Sequence, residues 1–246
     1  MTTIECDNLT VHIAGRTILE HINLHIPESG MIALTGPSGC GKTTLLHTLG
    51  LLQQSDDGRL IIDHEDVTYA SSGRRRRFWH DTASFILQDY GIMDEESVEF
   101  NVSMQLGPFG QRAGGDRRRI HEALRATGLA KRIQEPASHL SGGEKQRLGI
   151  ARAIYKNASV IFADEPTASL DAHNRQIVID LLRRRAGEGT TVIIATHDPV
   201  LMSSCDWNYP VGNHSNASLG DTATEASDER SVTYSANVAK THKEPQ

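Results

Sequence analysis

The segment Gly36-Pro37-Ser38-Gly39-Cys40-Gly41-Lys42-Thr43 fits the pattern G-x-x-x-x-G-K-S/T, and it lies between a run that reads as a strand, Met31–Thr35, and one that reads as a helix, Thr43–Leu52. A strand, a glycine loop and a helix in that order leave little choice of fold. The glycines let the backbone curl so that successive N–H groups face one anion, and the following helix adds positive potential from its N-terminus. Lys42 is placed to reach two phosphates and the Thr43 hydroxyl to ligate Mg2+, with Thr44 following in the first helical turn. Cys40, inside the loop, reads as a small residue tolerated in a tight turn.

The rest of the chain supports an α/β architecture. Apolar runs at Ile4–Ile13 and Ile18–Ile26 precede the loop, punctuated by Pro27-Glu28-Ser29-Gly30, and short strands are expected at Arg59–Asp63 and Ser84–Leu87. From Asp89 to His139 the pattern turns helical and polar, clearest over Ile120–Thr127, which suggests an inserted helical subdomain spanning about 89–155. Beyond it come a helix at Ser141–Tyr155, a buried strand at Val160–Ala163, a helix at Ala172–Ala186 and a strand at Thr190–Ala195. Strands alternating with helices predict a parallel sheet with helices on its faces. From Asn213 apolar residues become sparse, so residues 214–246 are expected to form a disordered tail after a domain of residues 1–213.

Two further segments carry chemistry. Val160-Ile161-Phe162-Ala163-Asp164-Glu165 is an apolar strand ending in two acids. Asp164, at the strand tip, suits Mg2+ held through water. Glu165 suits orientation and deprotonation of an attacking water. In Leu140-Ser141-Gly142-Gly143-Glu144-Lys145-Gln146-Arg147, Ser141 and Glu144 form a capping box, and Gly142 and Gly143 leave the first-turn N–H groups bare. That helix start can also receive a phosphate. One chain thus carries two phosphate-seeking surfaces, and one local site need not use both.

The Ser141–Arg147 segment closely resembles the signature motif of ABC-transporter ATPase subunits. Other stretches follow in that family's order: Gln88 is similar to the Q-loop glutamine, Ser169-Leu170-Asp171 to the D-loop and His197 to the switch histidine. The resemblance covers roughly Ile4 to Gly212. It implies a P-loop NTPase core, an N-terminal antiparallel β subdomain and an inserted α-helical subdomain. It also implies ATP and Mg2+ as cofactors, with Lys42, Glu165 and His197 catalytic. Gln88 would touch Mg2+ or the water beside Thr43 and Asp164. Two chains would pair head to tail, each ATP lying between one chain's Gly36–Thr43 and the other's Ser141, Gly142 and Gly143, with Asp171 coupling the sites. Each motif occurs once, so a second ATPase subunit is required, most simply another copy.

One departure concerns the base. Where the family often stacks an aromatic on adenine, this chain has Ile13 with His12 beside it. Either His12 stacks or base recognition is weak.

The resemblance further implies a separate membrane permease and a cytoplasmic location on the inner face of the plasma membrane. Phe85–Met93 with Ser97-Val98-Glu99 looks like export-type subunits of peptide, bacteriocin, lipoprotein and macrolide systems, with peptide or bacteriocin export the preferred reading. No run of about twenty apolar residues occurs, and Met1–Asp7 has neither the basic start nor the apolar stretch of a secretory leader. The alternative is an ABC-type ATPase acting on DNA or ribosomes. Against it, such proteins usually carry coiled-coil insertions, zinc modules or two ATPase cassettes in one chain, none of which reads here. The 25 Lys and Arg against 31 Asp and Glu, a net charge of -6, also argue against a polybasic nucleic-acid-coating protein, and no nucleic-acid partner is expected. Arg74–Arg77, followed by Phe78-Trp79, is the densest basic run and reads as a solvated loop with one or two Arg pairing locally, the alternatives being nucleic acid or anionic lipid beneath a membrane partner. Asp94-Glu95-Glu96 reads either as a turn or as a contact for a partner's short helix. Three cysteines, Cys6, Cys40 and Cys205, are too few and too scattered for a disulfide framework or a zinc site.

Overall fold

Five short strands lie parallel in the order β6-β7-β8-β3-β9: β3 (Gly30–Thr35), β6 (Ala83–Ile86), β7 (Val160–Asp164), β8 (Thr191–Ala195) and β9 (Trp207–Pro210). Their residues alternate between two covered faces. Ile32, Leu34, Phe162 and Ile193 face one core, which includes Leu45, Leu46 and Leu49 of helix α1 (Lys42–Leu49). Met31, Ile161, Val192 and Ile194 face the other, which includes Val178, Ile179 and Leu182 of α6 (Ala172–Gly187). Burial on both faces is why β3, β7 and β8 read as largely continuous apolar runs rather than alternating ones.

The computed structural model describes residues 2–107, 109 and 114–212, so the tail expected over 214–246 lies outside the described residues. A second, antiparallel sheet has the order β2-β1-β4-β5, from β1 (Ile4–Ile13), β2 (Arg16–Ile26), β4 (Asp57–Ile62) and β5 (Glu65–Asp66). Its apolar face joins the core over α1, through Ile4, Leu9, Leu24 and Leu60. The helical lobe is built from α3 (Val98–Ser103), α4 (Arg117–Ala126) and α5 (Gly142–Lys156). Helix α5 is apolar on two sides: Leu148 and Ala151 pack with Val98, Ile120 and Leu124 of the lobe, while Ile150 and Ala153 pack toward the parallel sheet. One helix therefore belongs to both bodies. Among the described residues no helix is long and apolar enough to cross a membrane.

Three expectations need correction. The Arg74–Arg77 run is not a loop but part of α2 (Ser72–Asp81), capped by Ser71, whose hydroxyl accepts from the Arg74 N–H at 3.3 Å. The following Phe78 and Trp79 hold it down. Phe78 packs edge-on to Phe162 at 6.4 Å, and Trp79 Nε1 donates to the Gly50 carbonyl at 2.8 Å. Helix α1 stops at Leu49 rather than Leu52: the Gly50 N–H closes on Leu46 O and Leu51 turns to φ 60. Strand β9, unforeseen, adds the outer edge of the parallel sheet beside β3. A short α7 (Pro199–Ser203) leads to it.

Candidate functional site

The carboxyl ends of parallel strands form one rim, and register decides what meets there. Leu34 of β3 and Asp164 of β7 both pair with Ala195 of β8, and Ile86 of β6 pairs with Ala163. The residues just beyond these positions are Gly36, Gln88, Glu165 and His197. Ligands of open α/β sheets bind outside such strand ends.

The glycine loop leaves β3 there. Gly36, Gly39 and Gly41 have φ of 138, 81 and 99, values that residues with a Cβ avoid. A Cβ on Gly41 would also come 2.8 Å from Leu19 Cδ2, so the β1–β2 hairpin lies directly on the loop. Lys42 is only 7% exposed, and its ammonium donates to the carbonyls of Gly36 at 2.9 Å and Pro37 at 3.0 Å. The lysine thereby closes the loop into a ring around its N–H groups. Thr43 is exposed, and its hydroxyl donates to Asp164 Oδ1 at 3.1 Å, joining α1 to the tip of β7. Asp164 is buried, and that burial pushes its carboxyl above the usual range. Cys40 packs its sulfur toward Gly36, and Ser38 is exposed on the loop.

Beside this lies a second cluster. Glu165 takes the left-handed conformation, φ 45, which costs a residue with a Cβ of order 1 kcal/mol. Its N–H bonds Ala195 O at 2.9 Å, bridging β7 to β8. One carboxylate oxygen meets His197 Nδ1 at 2.6 Å, and the other accepts from the Thr196 hydroxyl at 3.1 Å. A strained carboxylate oriented by a histidine and a hydroxyl is a proton acceptor fixed in direction. Sequence reasoning missed Thr196, whose signal was its place at the end of a buried strand next to the histidine. Gln88 is exposed on the turn after β6.

The signature segment sits elsewhere. Ser141 caps α5: its hydroxyl accepts from the Glu144 N–H at 3.3 Å, while Glu144 Oε2 accepts from the Ser141 N–H at 2.9 Å. The neighbours of the two glycines explain their lack of a side chain. A Cβ on Gly142 would come 2.8 Å from the Tyr90 hydroxyl, and one on Gly143 would come 2.8 Å from Asn174 Cγ. These contacts are with the turn after Gln88 and with α6, not with residues 36–43. Asp171 caps α6 instead of reaching the loop. The Asn174 N–H and its side-chain amide both donate to its carboxylate and hold that group below the usual carboxylate range. The structure thus gathers the loop with Asp164, Glu165 and His197, and holds Ser141–Gly143 and Asp171 on separate helix starts.

The linkers between these parts are further residues that motifs did not reveal. Arg152 of α5 donates to Gly91 O at 2.6 Å and to Asn101 O at 2.7 Å, tying the turn after Gln88 to α3. Burial brings its guanidinium down to about 10. Asp94 pairs with Lys145 at 2.6 Å, so part of the acidic run serves its own chain. At the hairpin end of β1, Ile13 is 44% exposed, and the backbone N–H of His12 is bound to Asp56 at 2.6 Å.

Comparison with known proteins comes down on one family. The family model described as ABC transporter matches residues 19–168. A lipoprotein-releasing system ATP-binding protein, LolD, of Colwellia psychrerythraea is 33% identical over 231 residues, covering 93% of this chain and 89% of that protein. A macrolide export ATP-binding/permease protein, MacB, of Vibrio parahaemolyticus is 36% identical over 74% of this chain, which spans only 28% of that longer protein. Among solved structures, the dimeric ATP-binding cassette MJ0796 in a post-hydrolysis state bound to ADP and Pi superposes with a TM-score of 0.75 at 27% identity, covering 85% of this chain and 94% of that one.

Proposed function

This chain belongs to the ABC transporter family, and from that premise we propose that it is the ATP-hydrolysing subunit of an exporter, working as a pair of cassettes beneath a separate permease. The observation that carries the chemistry is the Glu165–His197 pair, 2.6 Å apart, beside the Thr43–Asp164 contact on one rim.

The residues present fit a magnesium nucleotide. Three left-handed glycines expose loop N–H groups, Lys42 supplies a buried cation, and Thr43 and Asp164 bring a hydroxyl and a carboxylate together. Mg2+, held by Thr43 and Asp164 with Gln88 nearby, would supply charge neutralisation for the phosphates. Residues Gly36–Thr44 bind and orient the phosphate chain through backbone N–H groups and the Lys42 ammonium. Glu165 takes the proton of the water that attacks the terminal phosphate, and Thr196 and His197 hold its carboxylate in position. Asp164 is the group that makes the free site costly, because its charge sits among buried neighbours. Asp164→Asn is therefore expected to raise the melting temperature of the nucleotide-free protein at neutral pH by roughly 2–4 °C. The same variant should lose the extra stabilisation that MgATP gives the parent. Thermal melting with and without MgATP checks both halves, and an unchanged MgATP shift would remove Asp164 from the metal site.

Pairing of two cassettes is supported by the separation of Ser141–Gly143 from the loop within one chain and by the dimeric cassette it resembles. Export is supported by the relatives named for macrolide export and lipoprotein release. For cargo, a peptide or bacteriocin-like molecule is the reading, supported by the stretch around Phe85–Met93. Location follows from this: cytoplasmic, peripheral on the inner face of the plasma membrane. The test is purification of the tagged chain from its native membranes after mild detergent extraction. A multi-span membrane protein whose presence raises ATP turnover is the expected companion. Recovery of ribosomes or DNA in its place would overturn the transport reading.

A further inference from the structure

Gly143 lacks a side chain for a reason that the phosphate-binding role of its helix start does not supply. The space is filled by Asn174, whose Cγ and Oδ1 would both lie 2.8 Å from a Cβ there. Asn174 is the third residue of α6, and both ends of its side-chain amide are engaged. Its Nδ2 donates to Asp171 Oδ2 at 2.6 Å, and its Oδ1 accepts from Arg147 Nη1 at 2.9 Å. Arg147 stands one turn after Gly143 on α5, and Asp171 is the cap of α6. One half-buried amide therefore joins the start of α5 to the start of α6.

These two starts carry Ser141–Gly143 and Asp171, the elements assigned under the proposed function to the opposite cassette. We propose that Asn174 is a positioning residue that locks Asp171 to the signature turn, so that both dimer-facing elements of a chain move as one body. This rests on the head-to-tail reading. Two surfaces that must meet a partner together lose affinity if either rocks independently, because the freedom has to be given up on closure. The amide chemistry suits the task. Arg147 needs an acceptor and Asp171 needs a donor, and the amide meets the two needs with separate atoms, Oδ1 and Nδ2, of one side chain. The capping bond from the Asn174 backbone N–H to Asp171 at 2.9 Å does not involve the Asn174 side chain, so α6 keeps its start in Asn174→Ala.

The test uses the full chain carrying Glu165→Gln, with MgATP, and reads dimer dissociation by analytical ultracentrifugation. Adding Asn174→Ala should raise the dimer dissociation constant roughly tenfold, the loss expected for one or two side-chain hydrogen bonds to charged groups. In the parent background turnover should fall by a similar factor. Monomer melting temperature and the affinity of the monomer for a fluorescent ATP analogue should hold. Asn174→Asp keeps the acceptor for Arg147 but sets a second carboxylate against Asp171, and it should lose as much as Asn174→Ala. Arg147→Ala combined with Asn174→Ala should cost less than the two losses added, since both cut the same bond. The proposal fails if dimer affinity and turnover stay at parental values, or if monomer stability and nucleotide affinity fall in step with them. If Glu165→Gln alone stays monomeric with MgATP, the head-to-tail reading itself falls, and this inference with it.

Discussion

Glu165→Gln is expected to cut ATP turnover by about 10²–10⁴-fold, the range a positioned general base supplies, while nucleotide binding persists. The substitution is close to isosteric, so the left-handed turn at φ 45 and the bridge from its N–H to Ala195 O need not change. The amide oxygen can still accept from the Thr196 hydroxyl, and the amide nitrogen can donate to His197 Nδ1 in its other tautomer. What is lost is the ability to take a proton. What is also lost is a negative charge facing the terminal phosphate, and removing like charge from a site favours the bound state. The variant should therefore accumulate as a dimer with MgATP that the parent passes through only briefly. Phosphate release and gel filtration read the two halves separately. Full turnover in this variant would falsify Glu165 as the base and point to another proton acceptor.

The two halves of that prediction come from different levels of evidence. The proposed proton acceptor, Glu165, stood out in the sequence as an acid one residue past a buried strand, because β strands of this kind expose chemistry at their ends. Its orientation was not, since Thr196 and His197 reach Glu165 only when β7 and β8 pair in register Asp164 to Ala195. The same distinction runs through the fold. Strands β3, β7 and β8 carry buried apolar runs, Met31–Leu34, Val160–Ala163 and Val192–Ala195, and stood out. Strand β9, with Trp207, Asn208, Tyr209 and Pro210, carries no such run and becomes a strand because β3 offers it an open edge. Helix α2 was hidden by its own charge. Four arginines in succession outweighed the two aromatics after them, yet Phe78 and Trp79 anchor it to Phe162 and Gly50. Asn174 had no signal at all, because its importance lies in joining residues 27 positions apart on two helices.

The separation of the two phosphate-seeking surfaces leads to a prediction of equal size. Gly142→Asp is expected to leave the monomer folded and able to bind ATP, yet to reduce turnover by roughly 100-fold or more, the scale on which a lost electrostatic contact to a transferring phosphate acts. A Cβ at Gly142 meets only the Tyr90 hydroxyl, the far end of a side chain on a turn. Asp in the first turn of a helix is favoured over Gly by its capping and dipole interactions, worth about 0.3–1 kcal/mol, so α5 should not be weakened. The same carboxylate stands where the partner's phosphate must approach, and repels it. Lys42→Ala is the complementary lesion: it removes the cation that closes the loop on Gly36 O and Pro37 O, and with it nucleotide binding. Each variant alone should be nearly inactive. Mixed in equal amounts they should recover roughly a quarter of parental turnover, because half of random pairs are mixed and each mixed pair holds one whole site out of two. That site takes its loop from the Gly142→Asp chain and its signature turn from the Lys42→Ala chain. Recovery on mixing, with a tag on one chain to count mixed pairs, would establish that a working site is made by two molecules. Inactive mixtures in which mixed pairs demonstrably form would place both surfaces in one chain's service, and the paired-cassette mechanism would have to be abandoned.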